Sequence, residues 1–308
     1  SSVALSGDGK TLVIGGPGKY GNDSFPGYVK VYRWNEAISD FASFGEPIRG
    51  EVAFDQVGAS VALSGDGKML AVGARGNSDS DDVSGFVKVF ELDKSTSNYL
   101  QIGQSITADD VYDGSGISLA ISGDGMILAV GAPFHGAKSQ NGLHTGQVRV
   151  YKRKDDPGRT SSRTEWIQLG NDINGEAAGD EFGVSVSLSF NGTILAAGAP
   201  WNQGYGQHSG QVQVFTFDDS NLDWKQLGQS IHGEAAGDRS GDPVVLAANT
   251  LTFAIGATGN DSNGDGSGHV RVFTEYRGDD MDGGGEDKGG DWDDGSDGDE
   301  GGDGDEEL

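Results

Sequence analysis

The chain has 308 residues, 54 of them glycine and none cysteine, and its formal net charge is −27. The lack of cysteine excludes disulfides, thiolate catalysis and Cys-ligated zinc, and the charge disfavours nucleic acid and anionic membranes as partners, because phosphates would be repelled. No apolar run approaches the ~18 residues of a transmembrane helix. The sequence opens on Ser1 without a signal-peptide pattern, so we expect a processed or trimmed product.

A repeated segment organises the chain. The nine residues Ser2–Lys10 return unchanged at Ser60–Lys68, and diverged copies begin at Ser118, Ser185 and Pro243. The intervals between these starts are 58, 58, 67 and 58 residues. Each copy begins with a short strand such as SVALS and continues into a turn such as Ser-Gly-Asp-Gly. Asp-Gly and Asn-Gly turns are strong hairpin signals, because both central residues tolerate positive φ. Self-similarity at this period predicts a repeat architecture.

Three more strands are predicted in each unit. The second is short and apolar, at 12–16, 70–74, 128–132, 195–199 and 253–257. The third alternates apolar and polar residues, as a half-buried strand does, at 27–32, 85–90, 146–151, 210–215 and 268–273. The fourth carries an aromatic residue, a central glycine and a closing isoleucine, at 41–48, 99–106, 166–173 and 224–231. Its aromatic residues are predicted to pack between units: Phe41, Tyr99, Trp166 and Trp224.

These patterns predict an all-β fold, because frequent glycine argues against long helices. Five four-stranded antiparallel units, the last without its fourth strand, must stack to bury their apolar faces, and radial stacking gives a β-propeller. A β-solenoid is the alternative, but its coils are usually shorter. We place the units at about 2–59, 60–117, 118–184, 185–242 and 243–276. Residues 277–308 are predicted to form a disordered acidic tail, because few of them are apolar.

The sequence resembles a known repeat family. Asp180–Val186, with Phe182-Gly183 inside it, is followed by Gly198-Ala-Pro200, and this combination is similar to the FG-GAP repeat of integrin α-chain propellers. Gly131-Ala-Pro133 repeats the second half of the motif. The sequence pattern of the repeats also resembles that of secreted repeat proteins of marine microalgae and bacteria. The resemblance implies a secreted or cell-surface protein of the adhesion type.

The chain departs from that family in two respects. Integrin-type propellers have seven blades, whereas this chain has fewer than five complete units, so it is interpreted either as a five-bladed ring or as a fragment. The family's calcium loops lie between the first and second strands, where this chain has only Ser-Gly-Asp-Gly turns. So short a turn cannot supply five or six oxygen ligands. Asp8, Asp66 and Asp124 are therefore predicted to be turn residues.

One loop does match a calcium-binding pattern. Asp261, Asn263 and Asp265 fit D-x-[DN]-x-[DN]-G, which arranges oxygen atoms around one centre. No glutamate follows at the twelfth position, so the loop is not an EF-hand. Ca²⁺ is a possible ligand here, and an ordinary polar turn is the alternative interpretation. The loop 77–82 is its acidic equivalent in the second unit.

Function is predicted on the loops of one propeller face. In an antiparallel blade the connections between strands two and three, and from strand four to the next blade, emerge together. These loops carry the candidate ligand-binding residues Phe134, His135, Asp180, Trp201, Tyr205, His208 and Asp238. Tyr20, Phe25 and His144 accompany them. Such an aromatic and acidic rim suits a carbohydrate, a cationic segment or a metal-bridged carboxylate. For Asp55, Asp113, Asp180 and Asp238, recurrence in the repeats favours a structural role, in which the carboxylate bonds to loop amides, over a role in ligand binding.

No catalytic motif occurs: the sequence has no nucleophile elbow, no phosphate-binding loop and no His-Glu-x-x-His. The leading hypothesis is a non-enzymatic extracellular binding module that presents its loops to a protein or glycan. The first alternative is a propeller hydrolase or lyase that acts on polysaccharide. The second is an acidic matrix protein whose tail binds cations. The sequence leaves the oligomeric state open.

Overall fold

The structure is a computed structural model that describes residues 1–18, 25–76, 84–108, 110, 112–136, 144–155, 164–248 and 252–274. The predicted acidic tail, the loop 77–82 and Tyr20 lie outside these residues. All regular elements of the described residues are β-strands, grouped in five antiparallel sheets that form the blades of a propeller. In the part of the chain that the structure describes, no helix is long and apolar enough to cross a membrane.

The strands follow one another across each blade in sequence order. Blade 1 contains β1 (Ser2–Leu5), β2 (Thr11–Gly15), β3 (Tyr28–Asn35) and β4 (Asp40–Arg49), and blade 2 contains β5 (Val57–Leu63), β6 (Met69–Ala74), β7 (Phe86–Asp93) and β8 (Asn98–Thr107). Blade 3 contains β9 (Ser118–Ile121), β10 (Ile127–Ala132), β11 (Gln147–Lys154), β12 (Glu165–Gln168) and β13 (Ile173–Asn174). Blade 4 contains β14 (Ser185–Leu188), β15 (Ile194–Ala199), β16 (Gln211–Asp218), β17 (Asp223–Gln226) and β18 (Ile231–His232). The described part of blade 5 contains β19 (Ser240–Leu246), β20 (Phe253–Ala257) and β21 (His269–Phe273).

The predicted all-β propeller is confirmed, and one strand prediction needs correction. The fourth strand is continuous in blades 1 and 2, but in blades 3 and 4 it is divided into two pieces that pair with the same third strand. The break begins at Leu169 and at Leu227, each followed by a glycine with positive φ. Gly45 and Gly103 occupy the same repeat position in blades 1 and 2, where the strand continues through a bulge.

The Asp side chains of the first turns hold the turn itself. In blade 2, Ser64 Oγ donates to Asp66 Oδ1 at 2.9 Å, and Lys68 N donates to the same oxygen at 3.0 Å. Asp8 and Asp124 make the matching contacts in blades 1 and 3. Only the glycine after each Asp has positive φ, so the turn differs from the two-residue type expected from Asp-Gly. The Asp is nevertheless a turn residue, as predicted.

The hydrophobic core lies between blades, in four clusters that each join two successive blades. In the cluster between blades 3 and 4, Val148 and Val150 of β11 pack with Val186 and Leu188 of β14. Side chains of the first strand thus fill the surface formed by the second and third strands of the preceding blade.

Three of the four aromatic residues predicted to pack between blades do so. Tyr99 is buried in the cluster that joins blades 1 and 2, and its hydroxyl donates to the Gly67 carbonyl. Trp166 is buried in the cluster that joins blades 2 and 3. Trp224 donates from Nε1 to the Leu169 carbonyl of the preceding blade at 2.9 Å. Phe41 belongs to the first blade of the chain and forms an edge-to-face pair with Trp34 of the same blade.

Pairs of glycines bring the main chains of neighbouring blades close together. The Cα atom of Gly131, in β10, lies so close to Gly183 that a Cβ added at either position would touch the other residue. The hydroxyl of Ser118 donates to the Gly183 carbonyl at 2.7 Å across the same boundary. The equivalent glycine pairs are Gly15 with Gly58, Gly73 with Gly116, and Gly198 with Gly241. The main chains therefore approach each other closely at a glycine pair at each of the four boundaries.

Candidate functional site

On one face of the propeller, the described parts of the loops are hydrogen-bonded to the segments that enter the next blade. The end of each loop between the second and third strands runs parallel to the segment that enters the next blade, as in the bridges of Gly146 with Phe182 and of Gly210 with Ser240. The entering segment also accepts a bond from the next such loop, because Gly259 N donates to the Asp238 carbonyl. We call this surface the loop face. The short first turns lie on the opposite side, which we call the turn face.

Four buried aspartates anchor the loop face. Asp55, Asp113, Asp180 and Asp238 occupy one repeat position, and each is at most 4% exposed. Each accepts at least one backbone N–H from its own loop; for Asp238 the donors are Glu234 N and Ala235 N, both at 2.9 Å. These contacts support the structural interpretation of Asp180 and Asp238. Their carboxylates hold the loops that carry other side chains.

The same aspartates bind the neighbouring loop. Asn202 Nδ2 donates to Asp180 at 3.0 Å, and Asn260 Nδ2 donates to Asp238 at 3.0 Å. In blade 3 the equivalent position is His135, whose Nδ1 lies 3.2 Å from Asp113 Oδ2. His135 is therefore a structural counterpart of the two asparagines.

Pairs of aromatic rings recur on the loops of this face. Phe134 lies 5.1 Å from the ring of His144, and Trp201 lies 4.9 Å from the ring of His208. In each pair the first ring begins a loop between the second and third strands and the second ring ends it. Tyr205 is 70% exposed and stacks on His232 at 4.6 Å. The structure thus places four predicted residues, Phe134, Trp201, Tyr205 and His208, in the same layer of loops.

Charged groups flank Trp201 on two sides. The Arg239 guanidinium lies over the Trp201 ring, 4.7 Å from its centroid, and the Trp201 side chain lies beside the Glu181 carboxylate. Glu181 and Arg239 occupy the same repeat position in consecutive blades, and both have positive φ. We call Glu181, Trp201, His208 and Arg239 the Trp201 cluster. A half-buried indole between a carboxylate and a guanidinium can stack on a ligand ring and exchange hydrogen bonds with its polar groups.

Sequence reasoning missed Glu181 and Arg239. Both residues directly follow the recurring Asp of the loop, and this shared place in the repeat was the cue that the sequence offered. In the structure, both have positive φ. Each of these residues approaches Trp201 from a different segment, one preceding blade 4 and one preceding blade 5.

Burial raises the pKa of Glu181, and it also raises the pKa of Asp180 beside it. A raised folded-state pKa favours the protonated form, so the associated stability is present at low pH and is lost as pH rises through that pKa. We expect Glu181→Gln to abolish this loss. Between pH 4 and pH 7, the free energy of unfolding of the variant should rise relative to that of the wild type. The rise should be less than about 1 kcal/mol, because Glu181 is partly solvated. Urea unfolding across this range measures the gain, and a gap that stays constant with pH would contradict the assignment.

The predicted calcium motif forms a closed turn. Gly266 N donates to Asp261 Oδ1 at 2.6 Å, and Gly264 N donates to the Asp261 carbonyl at 3.0 Å. Across the described part of the chain, His, Asp and Glu side chains form no group of three suited to a metal ion. Calcium binding by Asp261, Asn263 and Asp265 therefore stays a prediction from the motif, which calorimetric titration of the protein with Ca²⁺ would test.

A family model described as the FG-GAP repeat matches residues 174–215. The chain contains an FG-GAP repeat. The match runs from β13 through β16 and includes every member of the Trp201 cluster except Arg239. Its Phe182-Gly183 and Gly198-Ala199-Pro200 segments supply glycines to two consecutive blade boundaries. The glycines of the FG-GAP motif therefore lie where the main chains of neighbouring blades approach each other closely.

The periplasmic gluconolactonase PpgL of Pseudomonas aeruginosa is similar over 85% of this chain and 66% of its own, with 14% identity and a TM-score of 0.47. The similar region thus spans just under two thirds of that protein's length. A search of curated protein sequences finds no significant match.

Proposed function

We propose that the chain is a non-enzymatic extracellular binding module that holds a protein or glycan partner on its loop face. The observation that carries the proposal is the Trp201 cluster, which joins an indole, an imidazole, a carboxylate and a guanidinium on rigidly bonded loops. Rigid loops on a β-scaffold are where binding residues concentrate. The FG-GAP resemblance to adhesion propellers supports the same function and an extracellular location.

The chemistry of the cluster favours a glycan over a protein. A sugar ring presents an apolar face that stacks on indole, and its hydroxyls both donate and accept hydrogen bonds. Glu181 is an acceptor when ionised, and Arg239, exposed above the ring, is a donor. Tyr205 offers a second exposed ring on the same blade.

The proposal is tested by comparing the affinity of Trp201→Ala and of the wild type for a partner. Screening the folded protein on a glycan panel and in pull-downs should identify a partner, and Trp201→Ala should weaken it at least about tenfold, as expected of a central aromatic contact. Trp34→Ala is the matched control, because Trp34 is 36% exposed and its backbone N donates to Lys10 O of the first turn, on the turn face. Equal affinity of the two variants would contradict the proposal.

The alternative, a polysaccharide hydrolase or lyase, is examined with the same proteins. Its specific support is Asp180 and Glu181, adjacent acids whose pKa values burial raises, as is frequent for catalytic carboxylates. Asp180→Asn preserves an acceptor for Ala177 N and Asn202. Turnover of polysaccharides or sugar lactones that is lost in Asp180→Asn or Asp238→Asn would replace the binding proposal with the enzymatic one.

A further inference from the structure

The first turn of blade 4 departs from the other first turns in its residue types. It reads Ser-Phe-Asn-Gly-Thr over 189–193, whereas blades 1 and 2 have Ser-Gly-Asp-Gly-Lys and blade 3 has Ser-Gly-Asp-Gly-Met. Asparagine thus replaces the aspartate of the other three turns, and a threonine stands two residues after it. Together these two changes create Asn191-Gly192-Thr193, the Asn-x-Thr pattern of an acceptor for N-linked glycosylation.

The turn itself uses only the side-chain oxygen of Asn191. Oδ1 accepts a hydrogen bond from the Ser189 hydroxyl at 2.8 Å and another from Thr193 N at 3.2 Å. In blade 2, Asp66 Oδ1 accepts the same two bonds. An aspartate would therefore serve this turn equally well, because the turn requires an acceptor here and no donor. The Asn191 amide nitrogen, Nδ2, makes no hydrogen bond with the residues that the structure describes.

The two residues of the acceptor pattern are exposed and lie side by side. Asn191 and Thr193 are at the tip of the hairpin between β14 and β15, on the turn face, and both are exposed. Thr193 Oγ1 donates to Asn191 Oδ1 at 2.9 Å. A sugar attached to Nδ2 would leave Oδ1 free to keep all of its hydrogen bonds, so the folded turn is compatible with the modification.

A second sequence of the same pattern is unsuitable because of its place in the fold. Asn260-Asp261-Ser262 also matches Asn-x-Ser/Thr, but Asn260 is only 3% exposed. Its Nδ2 donates to Asp238 Oδ1 at 3.0 Å and so joins two loops of the loop face. A glycan on this nitrogen would break that bond and place a bulky hydrophilic group in a buried position. A third match, Asn22-Asp-Ser24, lies outside the described residues.

We propose that Asn191 is a site of N-linked glycosylation. In this reaction, Nδ2 of Asn191 attacks C1 of the first sugar of an oligosaccharide that is carried on a lipid diphosphate. The N–C1 bond forms as the bond from C1 to the phosphate oxygen breaks, one amide proton is lost, and the lipid diphosphate leaves. The proposal rests on the extracellular location in the proposed function, because glycans of this kind are added to secreted proteins.

A glycan at Asn191 would lie on the side of the propeller opposite the Trp201 cluster. It would also be adjacent to Phe190, which is 47% exposed and whose ring lies against Gly123 of the preceding blade. N-linked glycans are bulky and hydrophilic. The modification would therefore cover an exposed aromatic ring on the turn face and leave the loop face free for a partner.

The test compares the full chain, secreted from eukaryotic cells, with two variants that keep the turn. Asn191→Asp introduces the residue of the other first turns and removes the amide nitrogen, and Thr193→Lys introduces the residue of blades 1 and 2 and removes the hydroxyl. Peptide N-glycosidase should lower the mass of the wild type, and peptide mapping should then find an aspartate in place of Asn191. Both variants should lose the glycan at this position, and circular dichroism should show that they are folded.

Asn260 is the matched control, because it has the same acceptor pattern in the same chain but is buried. Peptide mapping should find it unmodified in the folded protein. A secreted wild type without a glycan on Asn191 would overturn the proposal, as would a glycan that persists on Asn191 in Thr193→Lys. Partner binding is measured separately, so a protein that is glycosylated at Asn191 but binds no partner would contradict the binding proposal alone.

Discussion

Gly131→Ala is expected to destabilise the protein by about 3 kcal/mol or more, although it adds only one methyl group. The added Cβ would overlap the backbone oxygen of Gly183 in the next blade and the Oγ of Ser118. Backbone cannot move aside as the end of a flexible side chain can, so relief requires the two blades to separate. Separation would also break the bond from Ser118 to Gly183 and loosen the apolar cluster beside it.

Urea unfolding followed by tryptophan fluorescence measures this loss. Gly18→Ala is the matched control, because no atom of the described residues lies within 4 Å of the Cβ it would add and its backbone is not left-handed. Its unfolding free energy should change by at most about 0.5 kcal/mol. If Gly131→Ala proved as mild as Gly18→Ala, close main-chain approach would not be what fixes the spacing of blades.

The glycine contacts show where sequence reasoning about the fold reached its limit. The period-two pattern of the third strand and the recurring first turn were enough to predict four strands in each unit, because both are local properties of the chain. The meeting of Gly131 with Gly183 depends on which faces of two sheets oppose each other. Repetition of glycine at both positions was visible, but it does not reveal that the two positions touch.

The candidate site divides in the same way. Aromatic rings on long loops, such as Trp201 and His208, could be predicted because loops of one face follow from antiparallel connectivity. The buried state of Asp180 could be offered only as one of two interpretations, since recurrence suits both structure and binding. The approach of Glu181 and Arg239 to one indole could not be predicted, because it requires the packing of two successive loops around a third.

Phe182→Ala is expected to cost about 3–5 kcal/mol, the range for removing a buried aromatic side chain. Phe182 is 1% exposed, and its ring packs edge to face on Phe215 at 6.2 Å. Its counterparts at the other boundaries are Val57, Ser115 and Ser240, so among the four boundaries only the one between blades 3 and 4 has an aromatic ring at this position. The neighbours are strands fixed by their own ladders, which leaves a cavity that cannot collapse.

Phe182→Leu distinguishes the effect of lost side-chain volume from that of the lost aromatic contact. Leucine fills most of the space but cannot form the edge-to-face contact with Phe215. It should retain more than half of the stability that Phe182→Ala loses, and Leu222→Ala, at an exposed position, should change little. Phe182 also forms the parallel bridge with Gly146 that holds the loop carrying His144. Loosening this boundary should therefore lower the affinity for a partner at Trp201, even if the variant remains folded. If folded Phe182→Ala bound the partner as tightly as the wild type, the loop face would be independent of the core beneath it.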